Sequence, residues 1–308
     1  MGPLPSDPEP PDTTEPPGAT EPNRRRVRFS YPEPLPAVWT PRFPEMSAAA
    51  NAVSLSMPHV EPYVVASVRA GAAELDPGDP LRCAVDGFVA QEQEHHRQHH
   101  RFNELLVAQV GGLRRAERWM GATYGWLRRT RSTRFGVAFA AASESLAFSL
   151  ARWTESHSRR LFDGGDPHVC TLFLWHLAEE VEHKSVAHRV WVATDGSRRR
   201  YLWAAAVSVT LLLWFTLCGS VVLLHHQRRL HHPVAWWRLA VWGTSLAFEV
   251  LPNLVAGSSR RHSPDELVDP PLLSVWLRQY DPVTATMPLW WTGSATQAEV
   301  SARSDRAS

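Results

Sequence analysis

Between about residue 44 and residue 292, apolar residues recur at helical spacing in long segments separated by Pro, Gly and Asp, and no run of alternating β-branched residues intervenes. The fold class read from this pattern is all-α. Segment 46–57 is Ala-rich and is expected to stop at Pro58, with 59–75 as a second helical stretch. Asp79 and Pro80 give an N-cap and a first-turn proline for a helix over roughly 81–110, which Gly111 and Gly112 end. A further helix over 134–161 closes at Asp163-Gly164-Gly165. Asp166 and Pro167 then repeat the start signal for a helix over 168–193, ending near Asp195-Gly196. Residues 113–131, with six Arg and one Glu, read as a connector. The order is two helical hairpins joined by one long crossover.

The pattern changes at 201–224, where 24 positions hold no charged residue and no His. As a helix this stretch reaches about 36 Å, enough for a hydrocarbon core of about 30 Å. Arginines flank both ends, so charge does not choose an orientation. The next stretch, 233–258, is apolar but carries Arg238 and Glu249 and is interrupted by Pro252, so a return through a membrane would cost a few kcal/mol. A membrane span or firm membrane contact and a buried hydrophobic hairpin or oligomer interface both remain open. At the start of the chain, 13 of the 25 prolines fall within residues 1–44. The expected division is a disordered Pro-rich tail over 1–26, a bundle over 27–197, a hydrophobic helical region over 198–292 and a second polar tail over 293–308. The N-terminus has neither a basic start nor an apolar run, so secretion is not expected.

Composition removes several function classes. Thirty-two basic and 31 acidic residues give a net charge of +1, so no global field recruits nucleic acid. Cys83, Cys170 and Cys218 lie far apart without a CxxC, which excludes a zinc ribbon and fits a reducing compartment. No Gly-x-Ser-x-Gly elbow occurs, and the paired glycines read as helix stops rather than phosphate cradles.

The 15 His are another matter. At 100° per residue, Glu92, His95 and His99 fall at about 0°, −60° and −20° on one helix face. His176, Glu180 and His183 fall at about 0°, 40° and −20° on another. Both helices thus carry Glu-x-x-His, the spacing that dinuclear carboxylate bundles use, and two hairpins with a crossover is the connectivity of ferritin-like bundles. Such a site asks for one more Glu from each remaining helix. Glu144 stands alone in an apolar stretch, where an unneutralised charge is costly. The first helix offers Glu61 or Glu74. His96 and His100 read as surface residues, Glu94, Glu179 and Glu182 as pointing elsewhere, and the His225-His226 and His231-His232 pairs as interfacial anchors.

These residues lead to a resemblance. The stretch SLSMPHVE at 54–61, Gln91-Glu92 through His99 with Asn103, and WHLAEEVEHKSVAH at 175–188 are similar to the bacterial proteins known as predicted metal-dependent hydrolases, a ferritin-like group, over about Arg26 to residue 225. The resemblance implies Glu61, Glu92, His95, Glu144, Glu180 and His183 as metal ligands, with His99 and His176 as further ligands or as donors to them. Val60 stands where the family often has Gly, Pro62 follows the first Glu, and Ser145 replaces an expected His.

The expected cofactor is a pair of divalent ions, iron first, manganese or zinc as alternatives. Hydrolysis by an activated water, oxidation of an apolar substrate at a di-iron pair, and metal binding without turnover are the three readings. The expected partners are a small-molecule substrate of lipid-like character, a membrane through 201–224 and a second copy of the chain. The expected location is cytoplasmic, anchored to the inner membrane.

Overall fold

The computed structural model describes residues 22–290. Among them are nine α-helices and no strand: α1 (Pro44–Ala72), α2 (Leu81–Gln109), α3 (Leu113–Thr130), α4 (Thr133–Leu161), α5 (Pro167–Glu182), α6 (Val186–Thr194), α7 (Arg198–His226), α8 (Pro233–Gly257) and α9 (Pro271–Gln279). The expected caps are in place. Asp166 accepts from the backbone N–H groups of His168 and Val169, at 3.0 and 3.1 Å, with Pro167 as the first helical residue. Gly112, at a φ of 95°, turns the chain from α2 into α3.

Three sequence expectations need correction. Pro58 does not stop a helix: α1 runs unbroken through Pro58 and Pro62. A proline at position i removes the hydrogen bond to the carbonyl four residues earlier, here those of Ser54 and Pro58. The neighbouring helix supplies what is lost. Asn103 Nδ2 donates to the Ser54 carbonyl at 2.8 Å, and the Pro58 carbonyl faces the His96 ring. Second, the 113–131 connector is the helix α3, with Leu113, Met120, Tyr124 and Leu127 buried along one side and its arginines outside. Third, the expected 168–193 helix breaks into α5 and α6 at His183–Ser185. The break lets Lys184 turn outward to Asp269 and to the Leu267 carbonyl, at 3.2 Å for the latter.

The helices form three layers. α1 and α4 lie in the middle, packed on each other, with α2, α5 and α6 on one side and α7 and α8 on the other. The 201–224 region is therefore no hairpin closed on itself, because α7 and α8 touch each other little and each lies on α1 and α4. Aromatic side chains fill the core, with Trp39, Trp175, Trp191 and Trp276 fully buried. α9 returns to pack on α5.

The segment before α1 crosses the bundle in extended form and buries Val27, Phe29, Leu35 and Trp39. Residues 22–26, grouped by sequence with the tail, are tied to the bundle: Gln91 donates to the Asn23 carbonyl at 3.1 Å, and Arg25 pairs with Glu182 at 2.5 Å. The expectations for 1–21 and for 293–308 lie outside the described residues.

Candidate metal centre

α1 brings Glu61, α2 brings Glu92, His95 and His99, α4 brings Glu144, and α5 with the turn after it brings His176, Glu180 and His183. All eight are buried. Seven of them fall into two adjacent groups, Glu61-His95-His176 and Glu92-Glu144-Glu180-His183, each with its ligand atoms within 4.8 Å of one another. Two carboxylates join the groups. Glu180 puts Oε1 at 2.8 Å from His176 Nε2 and 3.5 Å from His95 Nδ1, and Oε2 at 3.4 Å from His183 Nε2. Glu92 likewise places Oε2 at 4.0 Å from His95 Nδ1 and Oε1 at 3.3 Å from His183 Nε2. Glu144 Oε2 lies 3.3 Å from His183 Nε2, and Glu61 Oε1 lies 4.0 Å from His176 Nε2. Glu61, not Glu74, is the carboxylate that α1 contributes.

Hydrogen bonds to the outer nitrogens assign the histidine tautomers. His183 Nδ1–H donates to Gln91 Oε1 at 3.0 Å, so Nε2 is the nitrogen that meets the three carboxylates. His95 Nε2–H donates to Glu179 at 3.0 Å, and Nδ1 faces Glu92 and Glu180. His99 is held at both ends. Ser54 Oγ donates to Asn103 Oδ1 at 2.7 Å, which leaves it to accept from His99 Nδ1–H at 2.8 Å. His99 Nε2 then accepts from His176 Nδ1–H at 2.6 Å, and His176 Nε2 is left with a lone pair directed at Glu180. Two lone-pair atoms at 2.8 Å need a proton or a cation between them. His99 stands in neither ligand group; it orients His176.

Two residues that sequence reading set aside also belong here. Glu179 is fully buried and accepts the hydrogen bond from His95 Nε2–H, and it stands at the same −60° offset from His176 that His95 has from Glu92. That phase was the available signal. Glu182 is buried as well, pairing with Arg25 and accepting from Gln91 Nε2 at 2.7 Å. Arg25, Glu182, Gln91 and His183 thus form one chain of contacts from the extended segment to the site. Glu94, set aside with them, is buried but engaged by Arg97 and Gln98, neither of which is in the two groups. By contrast, Ser145 leaves room for α7: its Oγ meets the Tyr201 hydroxyl at 2.9 Å.

The electrostatics are those of a site short of positive charge. Burial, and then the neighbouring carboxylates, push the Glu61 and Glu92 carboxyls up and Glu144 to about 8. Against the upward push of burial, His183 and His176 hold Glu180 well below the usual carboxylate range. Against the downward push of burial, Glu180, Glu144 and Glu92 hold His183 well above the usual imidazole range. Burial and His176 keep His95 and His99 well below it, so both are neutral. Glu61 Oε1 and Oε2, Glu92 Oε2, Glu144 Oε2 and His95 Nδ1 are buried without a hydrogen-bond partner. Orphaned buried acceptors are costly unless something positive satisfies them. Four carboxylates and three imidazoles fit a pair of divalent cations in this respect, and in donor chemistry they suit iron, manganese or zinc.

A cavity of about 400 Å³ opens beside the site, lined by Pro62, Val65, Ala66 and Arg69 of α1 and by Glu92, Gln93 and His96 of α2. Glu92 is the one residue that belongs to both the cavity wall and the ligand groups.

A family model described as a predicted metal-dependent hydrolase matches residues 23–269. The chain belongs to that family. Neither a curated protein nor a solved structure matches the chain. The matched stretch runs past the limit near residue 225 read from the sequence. It takes in both ligand groups, α7 and α8, and ends at Asp269, the partner of Lys184.

Proposed function

We propose that the chain is a hydrolase built on a ferritin-like four-helix bundle, with a dinuclear metal centre between α1, α2, α4 and α5. The observation that carries this reading is the pair Glu92 and Glu180, each directing one carboxylate oxygen toward each ligand group. One ion would be held by Glu92, Glu144, Glu180 and His183, and the other by Glu61, His95 and His176 with the shared carboxylates. Bound divalent ions supply Lewis acidity and lower the pKa of a bound water toward neutrality. The chain's own groups do the rest. Glu179 and Gln91 keep the proton on the outer nitrogens of His95 and His183, so their inner nitrogens stay available as ligands. Pro62, Val65 and Ala66 give the cavity an apolar wall, and Arg69 gives it a cation. A small, partly apolar ester or amide with an anionic substituent matches that lining.

The test begins with metal analysis of the purified chain. Two ions per chain are expected, and Glu92→Ala with Glu180→Ala abolishes binding; a wild-type protein that takes up no metal overturns the reading. The loaded enzyme is then given acyl esters without oxygen. Turnover that disappears in the double variant supports hydrolysis. Dioxygen uptake by the ferrous form, with no ester turnover under any metal, would replace hydrolysis with oxidation.

A further inference from the structure

α7 and α8 are long and apolar enough to cross a membrane by length and composition. Their packing points elsewhere. Both lie against the middle layer: Ser208 meets Ser143 at 2.9 Å, a Cβ on Gly219 would come within 2.6 Å of Ala52 Cβ, and Trp153 donates to Ser245 at 3.0 Å. Asn253 donates to Ser149 at 2.9 Å from the same side of α8. A spanning helix is surrounded by lipid or by other spanning helices, whereas a third of the apolar window of α7 is covered by helices that hold buried carboxylates.

The opposite faces of α7 and α8 point away from α1 and α4 on one side of the molecule. They display Trp203, Leu213 and Trp214 on α7 and Trp237, Phe248 and Leu251 on α8, with Trp237 and Phe248 at 70% and 78% of full exposure. α8 keeps its two charges off this face. Arg238 turns to Glu45 at 2.7 Å, and Glu249 to Arg152 at 3.0 Å. α7 carries no charge between residues 201 and 224. Large exposed apolar side chains gathered on one side of a bundle mark an interaction surface.

Its border identifies the occupant. Arg198 and Arg199 stand exposed at one end of α7, and His225, His226 and Arg228 at the other. α3 runs beside α7, with Trp119 edge-on to Trp214 at 6.0 Å between ring centroids. Trp126 and Arg115 fall within about 40° of Trp119 on the α3 helix, and Arg129 within about 80°. All four are exposed, and α3 has no exposed acidic residue. Aromatic side chains at the rim, cations outside them and an apolar centre match the layering of a membrane surface with anionic headgroups.

We propose that the outer faces of α7 and α8, with the α3 tryptophans, are a docking surface for an anionic lipid bilayer, on which the chain lies without crossing it. This proposal stands independently of the reaction at the metal centre.

The test uses the full chain and vesicles of phosphatidylglycerol with phosphatidylcholine, against vesicles of phosphatidylcholine alone. The chain is expected to sediment with the anionic vesicles and to be released by alkaline carbonate. The double variant Trp237→Glu/Phe248→Glu is expected to lower partitioning by about tenfold or more, with helical circular dichroism unchanged. Arg115→Glu/Arg129→Glu, on exposed positions, is expected to weaken anionic binding alone. Three results would overturn the proposal: carbonate-resistant insertion, which indicates a span; no vesicle binding with a dimer that Trp237→Glu/Phe248→Glu dissolves, which indicates a second copy; or equal binding by wild type and variants.

Discussion

At the scale of single residues, the site is a contest between protons and metal. Burial and the neighbouring carboxylates raise Glu144 to about 8, and Glu180, Glu144 and Glu92 raise His183 above its ordinary value of 6.5 despite burial. A group whose pKa is higher in the folded than in the unfolded chain stabilises the fold below its unfolded value, and that stabilisation is lost as pH rises through the folded value. His95, His99 and Glu180 shift downward and act in the opposite sense, at and below 6.5. Between pH 6.5 and about 8 the groups whose values are raised, Glu144 and His183 among them, therefore set the slope. The metal-free protein is expected to melt at a lower temperature at pH 8 than at pH 6.5, and a bound divalent ion is expected to flatten or reverse that slope. Calorimetry of the chelated and reloaded protein checks both. That Glu92 and His95, and Glu180 and His183, lie on shared helix faces was legible from sequence, because helical phase puts them there. The groups that orient them were less so. Gln91 meets Glu182 across 91 residues and Ser54 meets His99 across 45, distances at which no local periodicity speaks.

At the scale of elements, α1 shows why a proline is an ambiguous stop. Ser54, Pro58 and Pro62 are spaced by four, so each proline strips one carbonyl of its helical partner, and the repair comes from α2. Seen from α1 alone, Pro58 ends a helix; with Asn103 against it, the helix continues and carries Glu61 into the site. Asn103→Ala leaves the Ser54 carbonyl buried and unpaired, an expected loss of about 1–3 kcal/mol. Adding Pro58→Ala restores a backbone donor for that carbonyl, so the double variant is expected to recover part of the loss in urea denaturation. Additive losses would refute the compensation. α3 was hidden differently. Its arginines make it read as polar, yet Leu113, Met120, Tyr124 and Leu127 already stand at helical spacing. The α5–α6 break has no Pro or Gly to announce it and follows from tertiary contacts of Lys184 and His183.

At the scale of the molecule, the all-α class followed from pattern alone, whereas the three-layer arrangement did not. Arg238 and Glu249 were obstacles only to a helix imagined alone in lipid; against Glu45 and Arg152 they are neutralised on the protein side. The layer on which α7 and α8 rest supplies Glu61 and Glu144 to the two groups, so the apolar face and the chemical centre share α1 and α4. The extended segment before α1 belongs to the same assembly, reaching His183 through Arg25, Glu182 and Gln91. That chain of contacts has a kinetic meaning. A ligand whose orienting partner is tethered by a strap can leave only as fast as the strap loosens. Arg25→Ala is expected to speed chelator stripping several-fold while equilibrium helicity stays unchanged, with absorbance of a coloured chelator as the clock. The segment around Arg25 would then act as a latch on the lifetime of the loaded state.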